Sequence, residues 1–182
     1  MALDEPGSGT LINARIILAA YGVQESEIKP EYIKPNQAGD KLRDGSLDAF
    51  FFTGGLPTAA VLDFANTPGL KARLIASDNA LPKMRAEYGD STYFPLLIPK
   101  STYNTGEDVT VVGVANILVV SDKMDEQLAY DITRLLFEKQ AQLISIHPQA
   151  KDLSLATAAT GSPVPFHPGA IKYYTEKGAW KP

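Results

Sequence analysis

The residues Gly7-Ser8-Gly9-Thr10 stand directly in front of an apolar run, Leu11-Ile12-Asn13-Ala14-Arg15-Ile16-Ile17-Leu18. Small residues and two hydroxyls ahead of a helix suit a particular physical task. The first amides of a helix have no acceptor within it, and the aligned peptide dipoles add positive potential at that end. Glycines let a ligand come close to those amides, and Ser8 and Thr10 add hydroxyl donors, so the loop is a candidate seat for a carboxylate or a phosphate. The same residues also suit a plain strand-to-helix turn, and by themselves they leave both readings open. A second unit repeats the arrangement: Leu47 to Thr53 reads LDAFFFT, Gly54-Gly55 follow, and Pro57-Thr58 are expected to open a helix. In open parallel sheets ligands gather beyond the carboxyl ends of the strands, where such turns collect.

Other chemistries find little support. No lysine follows the first loop, a dinucleotide fingerprint would need glycine where Ile12 stands, and a nucleophile elbow around Ser8 would need glycines where Pro6 and Thr10 stand. His147 and His167 each precede a proline and are read as helix-end residues, not as a metal or catalytic pair. Asp44 and Asp48 flank a turn as solvated or structural groups, while Tyr88, Tyr93 and Tyr103 either line a cleft or pack in the core. The chain has no cysteine, which excludes disulfides, cysteine-zinc sites and thiol nucleophiles. A formal charge of -4 gives no reason to expect nucleic acid as a partner. No metal, cofactor or catalytic set is expected.

The elements that would position the two turns alternate between helix and strand, and 45% hydrophobic residues suffice for a core. The pattern predicts a helix over Leu11 to Tyr21, buried on most faces and stopped by Gly22, and a short strand at Tyr32-Ile33-Lys34. It predicts a helix from Pro35 to Asp44, a central parallel strand at Leu47 to Thr53, and a further strand at Lys71 to Ser77. A helix is expected over Asp78 to Tyr88, and an edge strand or connection at Tyr93 to Pro99, which carries two prolines. Val109 to Val120 reads as one or two buried strands, being shorter than the roughly 20 apolar residues of a membrane span. Beyond it, Asp122 is the expected cap of a helix with a stripe of Leu128, Ile132, Leu135 and Leu136, and further helices run through Ile146 and from His167 to Gly178.

Taken in order, GSGT with AAYG, LRDGSLDAFFFTGGLPTAAV, YDITRLLFE and PFHPGAIKYYTEKG resemble the TAXI family, the extracytoplasmic solute receptors of TRAP transporters. The resemblance runs from about Pro6 to Gly178. It implies an α/β fold of the periplasmic-binding-protein type II, with a mainly parallel central sheet flanked by helices. It implies a solute held between lobes, a small anion such as glutamate or a related organic acid, and delivery to membrane permease subunits. By that analogy Gly7, Ser8, Gly9 and Thr10 would meet a solute carboxylate, and Gly54, Gly55 and Pro57 would border the same site.

Against that family the chain is expected to start late, without an export signal and without the family's segment ahead of the GSGT loop. The expectation is therefore a second ligand-binding lobe over residues 1–112. Residues 113–182 would be a returning segment whose helices belong to a partly missing first lobe. A chain so shortened is expected to self-associate through exposed apolar surface. Two other functions stay open at this point: a phosphate-handling enzyme using the Gly7–Thr10 loop, and a surface antigen built on the receptor fold.

Overall fold

The computed structural model describes residues 1–89 and 92–181. Met1–Gly89 with Tyr93–Gly113 form one compact unit; the described residues from Val114 onward, with Thr92, form another.

The first unit is organised around the extended backbone at Ala2. On one side Ala2 N donates to Ala49 O and Phe51 N donates to Ala2 O; on the other Glu31 N donates to Met1 O and Leu3 N to Glu31 O, each at 2.9 Å. Both pairings are parallel, but they are isolated bridges, Ala2 with Glu31 and Ala2 with Phe50. The mainly parallel central sheet expected from the apolar runs is thus not formed among the described residues. The middle stretch leaves extended geometry at Asp4, whose φ is 73°, and a ladder cannot propagate past such a residue. The one sheet among the described residues has two strands, β1 (Tyr93–Ile98) and β2 (Val109–Val114). Lys71 to Ser77 is no strand. Its last residue hydrogen-bonds to β2: Ser77 N donates to Thr110 O at 3.3 Å and Ser77 Oγ accepts from Val112 N at 2.9 Å.

Helix α1 (Gly9–Ala20) buries Leu11, Ala14 and Leu18 against Leu3, with Met1, Val23, Ile28 and Phe51 packed around them. Those spacings make one stripe. Ile12 is 58% exposed, which corrects the expectation of a helix buried on most faces. Helix α2 (Pro35–Arg43) follows its predicted bounds and places Ala38 in a cluster with Ala2 and Leu47. Helix α3 (Ala59–Ala65) begins later than expected: Pro57 lies ahead of it in a cis Leu56–Pro57 peptide, and Thr58 is the extended N-cap residue. A third cluster of Val61, Ile98 and Tyr103, bordered by Phe50, Phe52 and Leu56, joins this helix to the end of β1. Two 3-10 turns (Glu25–Glu27 and Asp78–Ala80), helix α4 (Leu81–Tyr88) and the single turn α5 (Lys100–Tyr103) complete the unit.

The second unit contains α6 (Glu126–Glu138), α7 (Gln140–Ile146), α8 (Leu155–Ala158) and α9 (Pro168–Glu176). The cap of α6 is Asp125, not Asp122; its Oδ1 accepts from Leu128 N at 2.9 Å. The buried positions of α6 are Ala129 and Thr133, whereas Leu128 and Leu135 of the expected stripe are exposed. Gly169 explains this. A Cβ there would lie 2.7 Å from Tyr130 N and 2.9 Å from Ala129 Cβ, so the two helices approach with backbone nearly against backbone, and only small residues fit between them. Tyr173, Tyr174, Phe137, Phe166 and Trp180 form an aromatic cluster beside that contact, with Phe137 stacked on Tyr173 at 5.6 Å. His147 and His167 are helix-end residues as read from the sequence: their Nδ1 atoms accept from Gln149 N and Gly169 N, each at 3.2 Å. The expected strand over Val109 to Val120 stops at Val114, and Ile117, Leu118, Val119 and Val120 are exposed. Among the described residues no helix is long and apolar enough to cross a membrane.

The α6–α9 contact gives a direct expectation. Gly169→Ala forces the helices apart and lowers the stability of the second unit by about 2 kcal/mol. A thermal or urea melt followed through Trp180 fluorescence reads this, and an unchanged midpoint would contradict the close approach.

Candidate functional site

Parallel pairing decides where the two glycine turns lie. Ala2 and Phe50 run in the same direction, so the chain leaves both at the same end and enters Gly7–Thr10 on one side and Thr53–Gly55 on the other. A hydrogen bond closes the arrangement: Thr53 N donates to Thr10 Oγ1 at 3.2 Å. Thr10 is only 5% exposed, so this bond is shielded and holds the turns side by side.

In the first loop, Ser8 is the N-cap of α1, and its Oγ accepts from Leu11 N at 3.1 Å. Gly7 has φ 85°, a conformation that side chains disfavour. Gly9 is different: its φ is ordinary and a Cβ would meet nothing within 4 Å. Among the described residues the amides of Gly9 and Thr10 have no acceptor. The flanking carboxylates are engaged elsewhere: Asp4 Oδ1 accepts from Glu5 N at 2.8 Å and Glu5 lies 3.5 Å from Lys34 Nζ.

The second turn is held from below. Thr58 N donates to the Tyr103 hydroxyl at 2.8 Å, and Thr58 Oγ1 donates to Gly55 O at 2.8 Å. A Cβ on Gly54 would come within 3.2 Å of Thr58 Oγ1, tighter than an ordinary contact. Of the residues proposed from sequence, Gly7, Ser8, Gly9, Thr10, Gly54 and Gly55 lie on these adjoining turns. Pro57 stands two residues further on and is half-buried.

Sequence reasoning missed the residues that fix the two turns to each other. Asn13 Nδ2 donates to Thr53 Oγ1 at 3.4 Å, and the Tyr93 hydroxyl donates to Asn13 Oδ1 at 3.2 Å. Burial pushes the Tyr93 phenol above its ordinary range, so it remains a donor throughout the neutral range. A signal for Asn13 was available: it is the polar residue three positions after Thr10, hence on the same face of the helix. Tyr93 and Tyr103 were read as lining a cleft or filling the core, and they do something of each: their rings are buried while their hydroxyls support the turns. Among the described residues no group of three or more His, Cys, Asp or Glu side chains could hold a metal ion.

The two adjoining turns bring free amides, hydroxyls and glycines together in a mixed α/β protein. The chain matches the model of the NMT1-like family over residues 1–178 and belongs to that family. The family is periplasmic-binding-protein-like and related to solute receptors. The resemblance read from the motifs is met at that level, and a solute-binding function is consistent with the family.

Tyr103→Phe leaves the Thr58 amide without its acceptor and loosens the second turn. It should cost about 1–2 kcal/mol of stability, measured by chemical denaturation; a loss near zero would show that the bond does not hold the turn.

Proposed function

We propose that this protein is an extracytoplasmic solute receptor of the TRAP-transporter class, of the TAXI type. It would seat the carboxylate of a small organic acid, glutamate or a relative, on the Gly7–Thr10 loop. The amides of Gly9 and Thr10 and the hydroxyls of Ser8 and Thr10 supply the donors, and Gly54 and Gly55 border the seat. The receptor carries out no reaction; its partners are the solute and the membrane permease subunits that take delivery.

The observation that carries this reading is the pair of acceptor-less amides at the start of α1 beside a second glycine turn, in a chain of a solute-receptor-related family. An anion gains from both the free N–H groups and the helix dipole there, and the nearby Lys34 leaves Glu5 less repulsive than a bare carboxylate would be.

Gly9→Val tests it, because a Cβ at Gly9 would meet nothing within 4 Å in the folded protein. Isothermal titration with L-glutamate and a set of small dicarboxylates should show binding by the wild type and a loss of at least about thirtyfold in the variant, at an unchanged melting temperature. Equal affinity in the two proteins would remove this loop from the site. Failure of the wild type to bind any small carboxylate would remove the function.

A further inference from the structure

His167 joins the start of α9 to the segment ahead of α6 through both nitrogens of its ring. Nδ1 lies 3.2 Å from Gly169 N, and Nε2 lies 3.2 Å from Met124 O. A backbone N–H can only donate, and a backbone carbonyl can only accept. The two partners therefore fix the state of the ring: neutral, with its one proton on Nε2 and the free lone pair on Nδ1. His147 caps the 3-10 turn Pro148–Asp152 in a similar way, with Nδ1 3.2 Å from Gln149 N.

The two caps differ in what surrounds them. The His147 cap is exposed, so water can replace the ring if the cap is lost. Gly169 is buried at the close approach of α9 to α6, where an added Cβ would lie 2.7 Å from Tyr130 N. An imidazolium carries a proton on both nitrogens. At His167 that sets a new N–H against the N–H of Gly169 and leaves a buried donor without its acceptor. The positive end of the α9 dipole opposes a cation at this position as well.

We infer that His167 is an acid-sensitive latch of the second unit: the neutral ring ties α9 to the start of α6, and protonation of the ring releases α9. The inference does not depend on the anion seat. The other charged groups on the segments that meet here are Asp122, Lys123, Asp125 and Glu126 around the start of α6, and Lys172 on α9. Asp125 accepts from Leu128 N, and Lys172 sits over the Tyr130 ring. The Tyr130 phenol, held up by its bond to Glu176, and those of Tyr173 and Tyr174, held up by burial, stay neutral. Between about pH 7.5 and about pH 5.5 carboxylates and lysines keep their charge, while imidazoles change theirs. The folded cap needs the neutral ring, whereas the unfolded chain takes the proton freely. The latch thus contributes fully above the imidazole range, and its contribution falls as the pH goes down through it.

The test follows Trp180 fluorescence in thermal melts of the whole chain at about pH 7.5 and about pH 5.5. Trp180 packs on Phe166, the residue next to the latch, with ring centroids 5.2 Å apart. The wild type should lose about tenfold in the ratio of folded to unfolded second unit, a fall of about 5 °C in the midpoint. His167→Asn keeps a capping acceptor that does not titrate, and it should remove most of that fall. His147→Asn should leave the fall in place. Imidazole nitrogen NMR of the wild type at the higher pH should show His167 neutral with its proton on Nε2. The Gly169 amide proton should then move upfield on acidification as it loses its acceptor. No fall in the wild type, an equal fall in His167→Asn, or a fall that vanishes in His147→Asn instead would each overturn the latch. A proton on Nδ1 of His167 at the higher pH would overturn it without recourse to any variant.

Discussion

The parallel pairing of the backbone at Ala2 is the constraint on which the first unit depends. Four hydrogen bonds of 2.9 Å tie Met1 to Leu3 between residue 31 on one side and residues 49 to 51 on the other. Because the strand-like segments around Ala2 and Phe50 point the same way, both must release their chains at one end. The turns that follow are glycine-rich in each case, and they meet there. An antiparallel pairing would have sent them to opposite ends. The Thr10–Thr53 bond follows from that direction; the open amides of α1 are those that any helix leaves at its start.

Around this frame the side chains divide their tasks. Leu3, Leu11, Ala14 and Leu18 anchor α1 by burial. Val61, Ile98 and Tyr103 anchor the segment beyond the second turn. Burial gives most of the stability; a few polar atoms at the edge of these clusters join the two turns to each other. Tyr103 and Tyr93 combine the two roles, each with a buried ring and a hydroxyl that reaches backbone or amide in a turn. The second unit uses a different device, the close approach of α9 to α6 at Gly169, with an aromatic cluster beside it.

The helices were more legible in the sequence than the strands, for physical reasons. Helices announce themselves locally: Pro35 in the first turn of α2, and Gly22 and Gly178 as left-handed stops, stand where the sequence placed them, while Ser8, read as a hydroxyl donor, is the cap of α1. Strands depend on a partner that sequence does not reveal. Leu47 to Thr53 is apolar enough for a central strand, yet it pairs through a single bridge because its neighbour bends away at Asp4. The stripe on α6 was misread because the partner face is a glycine: burial there follows smallness, so Ala129 is inside while Leu128 is out. Both glycine turns of the candidate site were visible as types and spacing. Asn13 and Tyr93 were not assigned to it, since a hydrogen bond between residues eighty apart in the chain leaves no local mark.

The central claim is that the first turn of α1 and the Thr53–Gly55 turn form one anion seat. The most direct measurement is a titration of the isotopically labelled protein with L-glutamate, followed by backbone amide NMR. The account predicts that the Gly9 and Thr10 amides shift most, downfield as they gain an acceptor, with Thr53, Gly54 and Gly55 moving at the same ligand concentration. Saturable shifts elsewhere, with Gly9 and Thr10 unmoved, would contradict it.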